Sequence, residues 1–289
     1  MKPYKWLRLC ALFAITWLFS TVAHAQLRLI ILDNTIAETV LALGAQDQVV
    51  AVTTAADYLE PFADTPKLGG FKQSSSETLL ALAPTHILQT AERMHAQTRI
   101  QISALGVDIL DLPPSPTLEG AHERIRILGQ LLQQEQQAQI LVQQLDHEMK
   151  QLELEVATEP LPVKGVFILA GGGRPTVAGG RGTQAAALLE LAGIKNVADS
   201  IEGYKILSQE ALLAGAPDFI FTNQEGLQNE TKGVAAVLAA PGASLTPAYI
   251  NQAVFSIPGR YLQGLGLSTP AGVRYLRDQV KRLISEGRP

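Results

Sequence analysis

Cysteine is nearly absent: Cys10 is the single one in 289 residues. It lies in a leader-like stretch, where Lys2, Lys5 and Arg8 accompany the mostly apolar run Leu9 to Val22 and Ala23-His24-Ala25 fits an Ala-x-Ala cleavage site. Residues 1–25 thus read as a cleaved signal peptide, and the exported chain from Gln26 has no thiol for a disulfide, a metal or nucleophilic attack. Long apolar runs are also lacking, since nothing after the leader approaches the ~20 residues of a spanning helix. Basic charge is scarce. Removing Lys2, Lys5 and Arg8 from 23 basic residues leaves 20 against 27 acidic ones, a formal charge of −7, which argues against general nucleic-acid binding. Three catalytic signatures are missing as well: His-Glu-x-x-His, Gly-x-Ser-x-Gly and the Gly-Lys-Ser/Thr phosphate loop. The chain is not expected to be an enzyme.

What is present is a repeat. Gly70 to Leu88 aligns with Gly203 to Phe221, 133 residues later, and ten of nineteen positions are identical. A single repeat at that spacing is too long for a solenoid and predicts two similar lobes with a ligand cleft between them. In each copy a serine-opened helix ends before Ala-Pro, and a strand follows at His86 to Gln89 or Phe219 to Thr222. Leu27 to Leu32 and Val49 to Thr53 read as buried parallel strands flanking a helix at Ile36 to Leu43.

The expected fold is α/β: two lobes with mainly parallel sheets, spanning 26–116 and 160–289, joined by one long helix over 117–159. Proline is absent from Leu118 to about Val156, and Ile125, Leu128, Leu131 and Leu132 recur at helical spacing. A helix near forty residues would span about 55–60 Å, longer than one lobe. Such a stiff link limits hinge opening and favours a largely preformed cleft.

Several residues are candidates for ligand contact. Tyr58 follows the second predicted strand, where ligands gather in open α/β sheets, although a loop tyrosine is more often a packing residue. Gly171 to Thr183 is glycine-rich and lies between a strand and a helix; it reads equally as a flexible turn and as an anion-contacting loop, with Arg174 and Arg181 favouring the latter. Among the histidines, His86 reads as a core residue, His122 and His147 as solvated on the linking helix, and His95 as a helix-start residue. Glu77 and Glu210 hold equivalent places in the repeat. Ser74-x-x-Glu77 has capping-box spacing, which the second copy lacks because Leu207 stands where Ser74 does, and the paired acids also suit a two-fold partner.

The chain resembles the substrate-binding proteins of ABC importers whose two α/β lobes are joined by a helical backbone, the cobalamin and siderophore type. It is most similar to the haem (hemin) binders among them, through Val52 to Tyr58, Gly70-Phe71-Lys72, Pro175 to Gly179, and Gly203-Tyr204-Lys205 continuing into Ser208 to Leu213. The resemblance implies a periplasmic protein that captures ferric haem, with Tyr58 as the iron's axial ligand and Arg174, Arg181, Lys72, Lys205, Arg93 and Tyr204 around the cargo. It further implies that Glu77 and Glu210 dock onto an ABC permease dimer and that the binding protein itself is a monomer. Some relatives add a histidine from the second-lobe glycine loop, whereas Ala170 to Gly173 has none, which leaves one protein ligand. A siderophore or cobalamin carrier of the same fold is the alternative; an exported enzyme and a ligand sensor stand further off.

Overall fold

The computed structural model describes residues 26–69, 75–90, 94–114, 117–171, 174–224 and 230–288. The leader, Gly70 to Ser74 and Arg93 lie outside these, so the readings placed on residues 1–25, Lys72 and Arg93 have no structural counterpart here.

Five strands build the first sheet: β1 (Leu29–Ile31), β2 (Val49–Thr53), β3 (Lys67–Leu68), β4 (His86–Thr90) and β5 (Asp108–Leu112), all parallel in the order β3-β2-β1-β4-β5. Side chains alternate across a strand, and here both faces are covered: Leu29 and Ile31 enter one apolar core, Ile30 and Leu32 the other. That double burial explains why β1 is apolar without alternation. Helix α1 (Asn34–Ala42) crosses from β1 to β2, opened by Asp33, whose carboxylate accepts from the Thr35 amide at 2.9 Å.

The second sheet contains β6 (Lys164–Gly171), β7 (Arg174–Gly179), β8 (Lys195–Asn196), β9 (Tyr204–Ile206), β10 (Phe219–Asn223) and β11 (Val254–Ile257). Its order is β11-β10-β6-β7-β9, with β8 also paired to β6. Strands β6, β8, β10 and β11 run parallel, whereas β7 is antiparallel to both β6 and β9. The stretch expected as a glycine-rich loop is thus largely a β-hairpin arm. Thr176-Val177 bring β-favouring side chains to a segment whose glycines alone signal a turn.

The linking segment differs from the expected single helix. Helices α4 (Leu118–Leu131) and α5 (Glu135–Thr158) are separated at Leu132 to Gln134, where Gln133 has φ 57°. They fold back on each other, and a Cβ on Gly129 would lie 2.4 Å from Ala138 Cβ, so glycine allows the close approach. His122, expected to be solvated, is instead 6% exposed, with Nε2 3.1 Å from Asp146 of α5. The strut is α5 alone, about 36 Å long at 1.5 Å per residue. Ala138, Leu141, Val142 and Leu145 join a first-lobe core, Leu152 joins a second-lobe core, and Met149 packs against both.

The repeat is closer in three dimensions than in sequence. Helices α2 (Ser76–Leu80) and α6 (Gln209–Gly215) are capped by Ser75 and Ser208, whose hydroxyls accept from the Thr78 and Ala211 amides, each at 3.2 Å. The cap is thus Ser75, one residue after the serine of the expected capping box, and Glu77 and Glu210 share one position, the second of their helices. Leu79 and Leu212 are buried beneath them, and Ala83 and Ala216 both take positive φ, 46° and 42°, just before a proline.

Candidate functional site

Tyr58 stands just beyond β2, after a short 3-10 turn at Thr54–Ala56, at the strand-end rim where the α1 N-terminus also lies. It is half-buried. Its hydroxyl donates to Glu38 Oε1 and accepts from Asn34 Nδ2 at 3.3 Å. Asn34 and Glu38 are four residues apart on α1 and so present one face to the phenol. The second lobe closes over it: the Arg260 guanidinium carbon is 5.3 Å from the Tyr58 ring centroid and 4.7 Å from that of Tyr261.

Electrostatics here oppose one another. Burial raises the Glu38 pKa above the ordinary carboxylate range, against hydrogen bonds from Tyr58 and Ser268 and the charge of Arg260. Burial also raises the Tyr58 pKa, helped by the Glu38 charge and the hydrogen bond to it, while Asn34 and Arg260 pull it down. In this state the phenol keeps its proton.

Beneath the cluster Arg124 of α4 joins the parts. It is 1% exposed, donates to the Leu265 carbonyl at 2.5 Å and the Pro113 carbonyl at 3.3 Å, and is attracted by Asp33 and Glu38. Leu267, from the same second-lobe segment, packs against the first-lobe core. Asn34, Glu38, Arg124 and Arg260 were all missed by sequence reasoning. Asn34 and Glu38 sit inside an apolar helix pattern, and no motif surrounds Arg260.

In the second lobe, cross-strand register places Leu169, Val177 and Ile206 in one row over β6, β7 and β9. Leu169 is 36% and Ile206 66% exposed, an apolar strip at the end of the hairpin. Tyr204, two residues from Ile206 and on its face, meets Phe167 edge-on with centroids 6.0 Å apart. Burial raises its pKa. Arg181 and Lys205 are exposed on the same part of the lobe, Arg181 pairing with Glu202 through the backbone. Arg174 pairs with Gly171 in the hairpin. The cluster around Tyr58 is completed from the second lobe by Arg260.

Of the histidines, His86 is half-buried beside Thr85 at 3.0 Å, His95 precedes a helix at Ala96–Ser103 (α3) without a side-chain cap bond, and His147 is exposed. Glu77 and Glu210 are exposed. A hydrogen bond from Ser75 is the main cause lowering the Glu77 pKa, and backbone hydrogen bonding followed by Ser208 lowers that of Glu210.

The periplasmic binding protein family matches residues 29–261. The chain belongs to the periplasmic binding protein family. Among solved structures it is similar to the periplasmic heme-binding protein RhuT from Roseiflexus sp. RS-1 in apo form, at 28% identity and TM-score 0.82 over 89% of this chain and 99% of that one. It is likewise similar to the periplasmic heme-binding protein BhuT in complex with two hemes, at 29% identity and TM-score 0.80 over 89% and 98%. In sequence it is 25% identical over 188 residues to the ABC transporter substrate-binding lipoprotein YvrC of Bacillus subtilis, spanning 64% of this chain and 60% of that protein. This periplasmic binding protein thus spans less than two thirds of its curated relative's length but nearly all of the two heme binders.

Proposed function

We propose that this periplasmic binding protein captures ferric haem between its lobes and hands it to an ABC permease. The observation that carries the reading is Tyr58, half-buried at the rim of the first sheet, with the Arg260 cation over its ring, in a fold similar over 89% of its length to two heme-binding proteins. A phenolate is a hard anionic ligand suited to Fe(III), and a neighbouring cation favours the charged oxygen. The row of Leu169, Val177 and Ile206, exposed at its two ends, suits a porphyrin face, and Arg174, Arg181, Lys72, Lys205 and Arg93 are the cations proposed for its propionates. Tyr204 extends the apolar face.

Residues 1–25 then act as the export signal and Tyr58 works in the periplasm. The chain serves as a binding protein rather than an enzyme, a monomer on the two-lobed plan. Glu77 and Glu210, one per lobe at matching helix positions, are its contacts to a dimeric permease.

Hemin titration of wild type and Tyr58→Ala, followed by visible absorption, tests the reading. A high-spin ferric spectrum is expected in wild type and its loss in the variant. The same bands in both overturn Tyr58 as ligand, and no hemin binding at all returns the choice to a ferric siderophore or cobalamin, which bring their own metal ligands.

A further inference from the structure

We propose that the permease-docking surface is wider than its two acids: Ile100 beside Glu77 and Leu245 beside Glu210 are exposed apolar contacts that seat the same dimeric permease, one in each lobe. The inference deepens the reading of Glu77 and Glu210 as permease contacts and rests on it. Ser76 and Gln209 are equivalent in the repeat, each the first residue of its helix and the one just before the acid. Each ties its helix to a segment lying between the next two strands, β4 and β5 in one lobe, β10 and β11 in the other. The Ser76 hydroxyl donates to Gln101 Oε1 of α3 at 2.8 Å, and Gln209 lies so close to Gly242 that a Cβ added there would be 2.5 Å from its Cγ. Ile100 adjoins Gln101 on α3. Leu245 ends the 3-10 turn Ala243–Leu245, and its amide donates to the Gly242 carbonyl at 3.2 Å.

Ile100 is 68% and Leu245 61% exposed, whereas Ile102 of the same helix and Ala243 of the same turn are buried. The neighbours fill the core and these two stay outside it. One exposed apolar residue is ordinary surface, but here a carboxylate with a large apolar side chain at its flank recurs at matching helix starts in both lobes. The charges choose the occupant. Pairing this face with itself in a second copy of the chain would gather four carboxylates, and an anionic lipid surface would repel both acids. A two-fold protein face that sets a cation within apolar surroundings satisfies both parts at both places. Long-range charge then steers the encounter, and short-range burial slows departure.

The test measures binding of the exported chain to the ABC permease reconstituted in nanodiscs, by association and dissociation kinetics. Ile100→Ser combined with Leu245→Ser is expected to speed dissociation about tenfold, while the association rate, its salt dependence and the denaturation midpoint keep their wild-type values. Glu77→Gln combined with Glu210→Gln should instead slow association and flatten its salt dependence. Wild-type dissociation in the serine variant overturns the inference while the glutamine variant still associates slowly. If the glutamine variant associates as wild type does, the docking assignment itself falls. Equal binding to empty nanodiscs of the same lipid, or a self-association in sedimentation that the serine variant abolishes, gives the apolar pair to a membrane or to a second copy and also overturns it.

Discussion

The Arg260 guanidinium carbon lies 5.3 Å from the ring centroid of Tyr58, a contact between a second-lobe cation and a first-lobe phenol. It ties ligand chemistry to lobe closure, because the cation reaches the ring only when the lobes meet. Arg260→Ala is expected to weaken hemin binding by about tenfold, in line with ~0.5–2 kcal/mol for a cation over an aromatic ring. Absorption titration measures it. Equal affinity in the two proteins would confine Arg260 to a packing role.

Arg124 supports the same junction from below, with donations to Leu265 and Pro113 and two buried acids nearby. Removing one partner of a buried charge network leaves the rest uncompensated. Arg124→Ala should cost about 3 kcal/mol of unfolding free energy, read by urea denaturation.

For Glu77 and Glu210, double reversal to lysine is expected to abolish transport while hemin affinity stays at the wild-type value. Weakened hemin binding would move these residues into the cleft or the fold. Their lowered pKa values carry a sign as well: each carboxylate remains charged below the pH at which an ordinary one protonates, and its charge is lost only as pH falls through the depressed value. Docking to permease in vesicles should therefore hold steady from pH 7 to about 5. A fall over that window would place the titration elsewhere.

Gly129→Leu tests the helical hairpin. A Cβ there would already lie 2.4 Å from Ala138 Cβ, so the larger side chain must push α4 and α5 apart. A loss of about 1–3 kcal/mol is expected, seen as a lower denaturation midpoint. Were α4 and α5 one continuous helix in solution, the substitution would be neutral or slightly stabilising.

Much of the scaffold was legible locally. Buried strands carry unbroken apolar runs, so β1, β2, β4 and β10 fall within a residue or two of their expected places. The repeat announced two lobes because both copies must build the same serine-capped helix and strand. The helix break was not legible: Leu132 to Gln134 contain neither glycine nor proline, and Gln133 takes a left-handed conformation that its side chain does not advertise. The hairpin arm Arg174–Gly179 was likewise hidden, since strand pairing is a partner's property as much as a segment's.

At the candidate site, Tyr58 was singled out by its place after β2 together with the resemblance to haem binders, but its partners were not. Glu38 and Asn34 are spaced for one helix face, and which face meets Tyr58 is decided by how α1 packs on the sheet. Arg260 is 202 residues from Tyr58 along the chain. The sequence by itself determined two α/β lobes and the matching helix positions of Glu77 and Glu210, because periodicity and helix capping act over a few residues. Only the tertiary structure decided that the linker folds into a hairpin and that a buried carboxylate and a distant guanidinium converge on one phenol, because burial and charge proximity arise only when remote segments pack together.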